Sequence, residues 1–443
     1  MSFLERLFGF GSNKQTAQPD VVFGRYSDAY KSDEQLAAFD RSLELFEKEE
    51  YLNAYREFLS SLKDPNQDHI QWREEADTIH FEFWQGSQHI TGTAGLEKVK
   101  VQSTIAKAED LHIGVLRRLV AANFNLKFSR FALSPDNCLV ILFDTGTADG
   151  SPLKLMYALR ELAIHADKQD DLLLDEFQSL QPVTERVFGD ISEAEKTIKY
   201  QYIQSEITRV FGEIDKGKPD PNQYPGSYAY LLLALAFKLD YLIRPEGFMM
   251  DVLEKIHGIY FAKNEKTPQV KIAQIRKEYQ KLLDRSQADF FKEMYRTRST
   301  FGVNPAVNQG SVAALIEGEL PNMEWPLQQN HDVLALAVPQ YIAGFAMFHY
   351  APPKPARDLF HLFFKVTEPE FFKNLGFTEV YTDVQGRLDK RAIQLAIKSI
   401  SDQNRTLYPN FKPDLLQLDF ASVTLFAKSY LAMIKDLNLT KAE

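Results

Sequence analysis

Apolar and polar positions change period along this chain, and the changes divide it. Over residues 36–62, Leu36, Phe39, Leu43, Phe46, Ala54, Phe58 and Leu62 recur at broadly helical spacing, which predicts a helix with a kink near Glu49-Glu50. From Thr78 the period becomes two. Ile79, Phe81 and Phe83 fall on one side and His80, Glu82 and Trp84 on the other, and Gly86-Ser87 supplies a hairpin turn. Residues 98–105 alternate again, giving a third strand. A short helix is expected over 111–122, then a strand over 128–133. Ser134-Pro135-Asp136-Asn137 turns that strand into 138–143, which is apolar at every position. A strand so written predicts two buried faces, Leu139, Ile141 and Phe143 against one cover and Cys138, Val140 and Leu142 against another. Ser151-Pro152 then reads as N-cap and first turn of an amphipathic helix whose stripe is Leu155, Met156, Leu159, Leu162, Ala163 and Ala166.

After Pro182 the alternation of strands largely disappears. Helical patterns cover 194–211, 228–243, 248–261, 270–296, 333–348, 356–365, 368–375, 390–401 and 421–437. Residues 300–329, rich in Gly, Pro and Asn, read as a surface excursion interrupted by a short helix at 312–317. The expected fold is therefore an α+β N-terminal domain of order α-β-β-β-α-β-β-α with an antiparallel sheet, followed by a mostly α-helical C-terminal domain. The expected division is an N-terminal extension at 1–30, the α+β domain at 31–185 and the helical domain at 186–443, with a further break near 300–330. No repeat of fixed period is present.

The segments FEKEEYLNAYREFL, DTIHFEFWQGSQHITG and NCLVILFDTGTADGSPLKLMYALRELAIHADKQDDLL carry a resemblance to the type III secretion chaperone-like fold, shared with the YbjN-like bacterial family. It spans about residues 30–185 and lies in element order and helix character. The resemblance implies a protein that pairs as a homodimer and holds a partner polypeptide on an exposed surface, without catalysis. The helical residues that follow have no counterpart in it.

Composition narrows the classes further. A net charge of −10 argues against general nucleic-acid binding, which needs a basic surface to neutralise phosphates. The single cysteine, Cys138, excludes an intramolecular disulfide and a cysteine-based zinc site. No uninterrupted apolar run approaches the ~20 residues of a membrane span, and no signal-peptide pattern opens the chain, so a cytoplasmic bacterial protein is expected. Phe3, Leu4, Leu7 and Phe8 give residues 1–10 one apolar face, fit to dock on a membrane surface or on the protein itself.

The candidate chemistry is sparse. Asp144-Thr145-Gly146 ends the apolar strand in the manner of an aspartic-protease triplet, but no second triplet occurs and a helix follows where β-structure is required. A haloacid-dehalogenase reading fails because Gly146 stands where a second acid is needed. The segment 144–150 is thus expected to be a strand-to-helix loop. His80, Glu82, Trp84 and His89 are expected to share one sheet face and form a binding platform, since the Gly86-Ser87 turn sets Trp84 opposite His89. His349, Asp358 and His361 form the alternative, a hydrolase site at a domain cleft. No metal site and no cofactor are expected. The leading expectation is a non-enzymatic, chaperone-like protein that binds a partner polypeptide. The hydrolase and a self-assembling structural protein stand as alternatives.

Overall fold

The computed structural model describes residues 19–27, 31–64, 68–108, 112–177, 179–183, 191–220 and 223–442. The apolar-faced segment 1–10 lies outside them. The N-terminal half contains α1 (Asp33–Glu47), α2 (Tyr51–Leu62), β1 (Ile70–Glu75), β2 (Thr78–Gly86), β3 (Gln88–Gly95), β4 (Lys98–Ala108), α3 (Ile113–Asn123), β5 (Arg130–Leu133), β6 (Cys138–Gly146), α4 (Pro152–Glu176) and the two-residue β7 (Leu180–Gln181). Its strands pair antiparallel in the order β1-β2-β3-β4-β6-β5. An α+β half with an antiparallel sheet is followed by a mostly helical half, as the periodicity predicts.

Local chemistry sets the element ends. Ser32 opens α1 with a reciprocal capping box to Gln35. The expected kink becomes a full break between α1 and α2, where Glu49 takes φ 59°. Ser151 caps α4 by accepting from Lys154 N, and Pro152 begins the helix. The two-residue turn at Gly86-Ser87 joins β2 to β3 and places Trp84 opposite His89.

Strand β1 is absent from the expected order. Four of its six residues, Gln71, Arg73, Glu74 and Glu75, are polar and exposed, so it carries no two-sided apolar signal, and it pairs only along one edge with β2. A second difference concerns β6. Leu139, Ile141 and Phe143 sit in the core beneath α4, but Leu142 is half-exposed. Among the described residues neither the helical half nor a second layer seals the other face, where Gln71, Arg73, Thr91, Lys100 and Arg130 are all exposed. Cys138 and Val140 are shielded at 8% and 7% exposure without such a cover. Asp144, Thr145 and Gly146 are strand residues paired with β4, not the expected loop.

The helical half comprises α5 (Glu193–Asp215), α6 (Pro225–Ile243), α7 (Gly247–Phe261), α8 (Pro268–Asp284), α9 (Gln287–Lys292), the short β8 (Arg298–Ser299), α10 (Gln309–Glu319), α11 (Glu324–Gln328), α12 (Asp332–His349), α13 (Lys354–Thr367), α14 (Pro369–Asn374), α15 (Lys390–Asn404) and α16 (Val423–Lys435). The helix expected over 270–296 is broken, because Ser286 caps a new helix by accepting from Asp289 N. Helices α6 and α12 are apolar nearly all round and long enough to cross a membrane by length and composition. Both spend that surface inside the protein, packed against each other, with Gly344 of α12 so close to Phe237 that a Cβ there would lie 2.7 Å from the Phe237 side chain.

Two hydrophobic cores result, one under the sheet and one among the helices, and each borrows a segment from the other half. Phe23 lies in the helical core, ring against His361, Phe372 and Phe377. Phe301 lies in the sheet core against Phe83, at 1% exposure, while β8 pairs with the end of β2. The stretch expected to be a surface excursion therefore begins as a buried tie between the halves.

Candidate functional site

The sheet face singled out by the alternation is assembled as expected and open to solvent. Trp84 and His89 stack with ring centroids 4.5 Å apart, and His89 Nε2 lies 3.0 Å from Glu82 Oε2. His80 is 3.8 Å from Glu75. A shallow groove of about 530 Å³ runs over this face, lined by polar side chains of β1 to β4 such as Arg73, Glu82, Thr91 and Lys100. At its far side Asp144 bridges Lys98 at 2.6 Å and Arg130 at 2.7 Å, and these hydrogen bonds hold its carboxyl below the usual range. An ionised, doubly paired aspartate suits a strand surface rather than catalysis.

A larger feature was not singled out by sequence reasoning. Helix α3 turns Val115 and Leu119 into the core, yet Ile113, Leu116, Val120 and Phe124 are exposed at 62%, 40%, 69% and 91%. Their spacing of three, four and four residues puts them on one helical face. The signal was legible, since IGVLRRLVAANF is apolar on two sides and a surface helix needs only one. Beside it runs β5, an end strand of the sheet. Its open edge is plugged: Asn123 Oδ1 accepts from Phe131 N at 2.7 Å and Asn123 Nδ2 donates to Phe131 O at 3.1 Å. That amide reproduces the bonds of a neighbouring strand.

The alternative trio is only partly brought together. Asp358 and His361 line one cavity in the helical half, whereas His349 lies at a separate opening, stacked on His257 at 5.7 Å. Asp358 pairs with Lys354 at 2.5 Å and accepts from Asn404 at 3.3 Å. His361 uses Nδ1 toward the Tyr241 hydroxyl at 2.8 Å, and burial pushes its pKa down to about 4. The helical spacing of Asp358 and His361 thus puts them on one wall without making Asp358 the partner of the imidazole.

Titratable groups also cluster at the junction of the halves. Asp167 and Asp170 of α4 grip the β2–β3 turn: Ser87 N donates to Asp167 at 3.0 Å, and Ser87 Oγ and Gln88 Nε2 each donate to Asp170 at 2.6 Å. Asp171 accepts from the Tyr295 hydroxyl at 2.9 Å, and Arg285 pairs with Glu293 at 2.5 Å. Burial pushes Asp170 up to about 8 and Glu246 and Glu293 up to about 7. Among the described residues no group of three or more His, Cys, Asp or Glu side chains is arranged to hold a metal ion. Cys138 is buried, and burial raises its thiol pKa. Comparison of the sequence with protein-family models and with curated proteins returned no match.

Proposed function

We propose that this is a non-enzymatic protein that binds a partner polypeptide, in keeping with the chaperone-like resemblance of its α+β half. The observation that carries the reading is the exposed apolar face of α3. Monomeric surfaces seldom leave four large apolar side chains in register on one helix, and such patches mark interaction sites. Covering them recovers on the order of 1.5–3 kcal/mol for each side chain fully buried. That offsets much of an association cost of about 4–15 kcal/mol. Because Asn123 occupies the β5 edge beside α3, a partner at this face packs on the helix instead of pairing with β5. It therefore presents an apolar helical face of its own, and exposed Arg117 and Lys127 beside the stripe favour acidic residues at its rim.

The test is a photo-crosslinking amino acid placed at Val120 in cells that natively express the protein, with the exposed Val384 as control position. A discrete foreign adduct at 120, absent at 384 and abolished by Phe124→Asp, is expected. Adducts that are equal at the two positions would sink the reading. A crosslink to a second copy of the chain would overturn the partner in favour of self-association.

A further inference from the structure

The cavity that holds His361 has the build of a small-molecule site. Its volume is about 660 Å³, within the range of about 300–1,000 Å³ typical of ligand pockets. One wall is α13, which presents Lys354, Arg357, His361 and Lys365 on successive turns of a single face. The facing wall is α15, contributing Ser399, Ile400 and Gln403. The third side is the segment 21–25, fixed in place by Gly24 N donating to Tyr241 O at 2.8 Å and by Arg25 clamped on Asp240 at 2.6 Å.

Cationic side chains concentrate on these walls. Among the described residues Arg25, Lys354, Arg357 and Lys365 line the cavity together with Asp358 and Glu379, in a chain of net charge −10. Arg25 is matched by Asp240 and Glu254 outside the lining. Lys354 pairs with Asp358, and Lys365 lies 3.4 Å from Glu379. The Lys354–Asp358 pair lies at the surface, where such pairs contribute about 0–1 kcal/mol, and the Lys365–Glu379 contact is a long one. The imidazole registers the same field: after burial, Lys365 and Arg357 also push its pKa down, against Asp358. A neutral His361 tied to the Tyr241 hydroxyl is a hydrogen-bonding group, not a counter-charge. Val21, Val22, Leu362 and Ile400 add apolar surface.

We propose that this cavity binds a small organic anion with an apolar body, its phosphate or carboxylate group held by Arg357 and Lys365 and its body against Val22 and Ile400. The site is independent of the α3 face, so either reading stands if the other fails.

The experiment is titration calorimetry on the full chain with phenyl phosphate, benzoate, inorganic phosphate and neutral phenol as probes. Saturable binding of phenyl phosphate or benzoate is expected, weaker binding of inorganic phosphate, and none of phenol. Arg357→Gln with Lys365→Gln weakens the anion at least tenfold. Ser399→Trp, which fills the cavity from an exposed position, abolishes it and serves if the double variant does not fold. Phosphate binding that matches phenyl phosphate would restrict the site to the free ion and overturn the apolar part. Absence of binding by any probe at about 10 mM, where even millimolar sites fill, overturns the whole, as does unchanged binding in both variants.

Discussion

The deepest ionic network offers the sharpest test of the helical core. Lys238, in the middle of α6 with its side chain 2% exposed, places Nζ 2.7 Å from both Glu206 and Glu368. Glu206 also takes Arg209 at 2.8 Å, and Glu368 also accepts from the Tyr202 hydroxyl at 2.8 Å and from Gln340 at 3.1 Å. At an effective dielectric of about 20, each 2.7 Å contact is worth about 6 kcal/mol. Desolvation of the three charges cancels most of that, so the intact network contributes little net stability. Lys238→Met fills similar volume but removes the cation. The two bound oxygens lie at most twice 2.7 Å apart, so at the same dielectric their repulsion is at least about 3 kcal/mol. A loss of about 3–5 kcal/mol is therefore expected at pH 8, read by urea unfolding followed by circular dichroism. Burial already raises the Glu368 pKa, so in the variant this carboxyl takes up a proton as pH falls, and the loss shrinks toward pH 5. Adding Glu368→Gln restores stability to within about 1 kcal/mol, since Glu206 keeps Arg209 and no buried charge is then left unpaired. A loss below about 1 kcal/mol for Lys238→Met alone, or one that does not change with pH, would refute this account.

Two further predictions concern the junction. Asp170, Glu246 and Glu293 have folded-state pKa values raised to about 8, 7 and 7, so the folded chain holds protons that the unfolded chain releases, and stability falls as pH climbs through that range. His361, lowered to about 4, acts in the opposite sense only below its ordinary 6.5. Thermal unfolding should therefore shift to lower temperature between about pH 6.5 and 8.5, and Asp170→Asn should flatten that slope; a midpoint that rises over the interval would contradict the buried cluster. Gly86 takes φ +57° in the β2–β3 turn, and a Cβ there would sit 1.7 Å from Asp167 Oδ1. Gly86→Ala should cost about 1–3 kcal/mol in chemical unfolding, and a neutral effect would mean that Asp167 does not grip the turn.

What the chain determines by itself is what depends on neighbours within a few residues. The period-two alternation around Ile79, Phe81 and Phe83, the turn at Gly86-Ser87, the N-cap at Ser151 and the apolar run of α6 are local choices of backbone and solvation, and each appears where the pattern puts it. The same locality explains why Trp84 and His89 share a face. Strand β1 escaped that reading because an edge strand with one partner needs little apolar surface, and its residues advertise solvent.

The remainder is decided by contacts between residues far apart in sequence. Leu142 faces the open side of the sheet because none of the described residues supplies a layer there, a fact about packing that an apolar strand cannot encode. Asp144 became a strand residue through its pairing with β4. His361 found Tyr241, 120 positions away, in place of Asp358 three residues before it. Phe23 and Phe301 each joined the core of the opposite half. Burial of an apolar side chain has no direction in sequence; it goes to whichever core has room. Only the assembled structure could reveal that α3 keeps one of its two apolar faces in water.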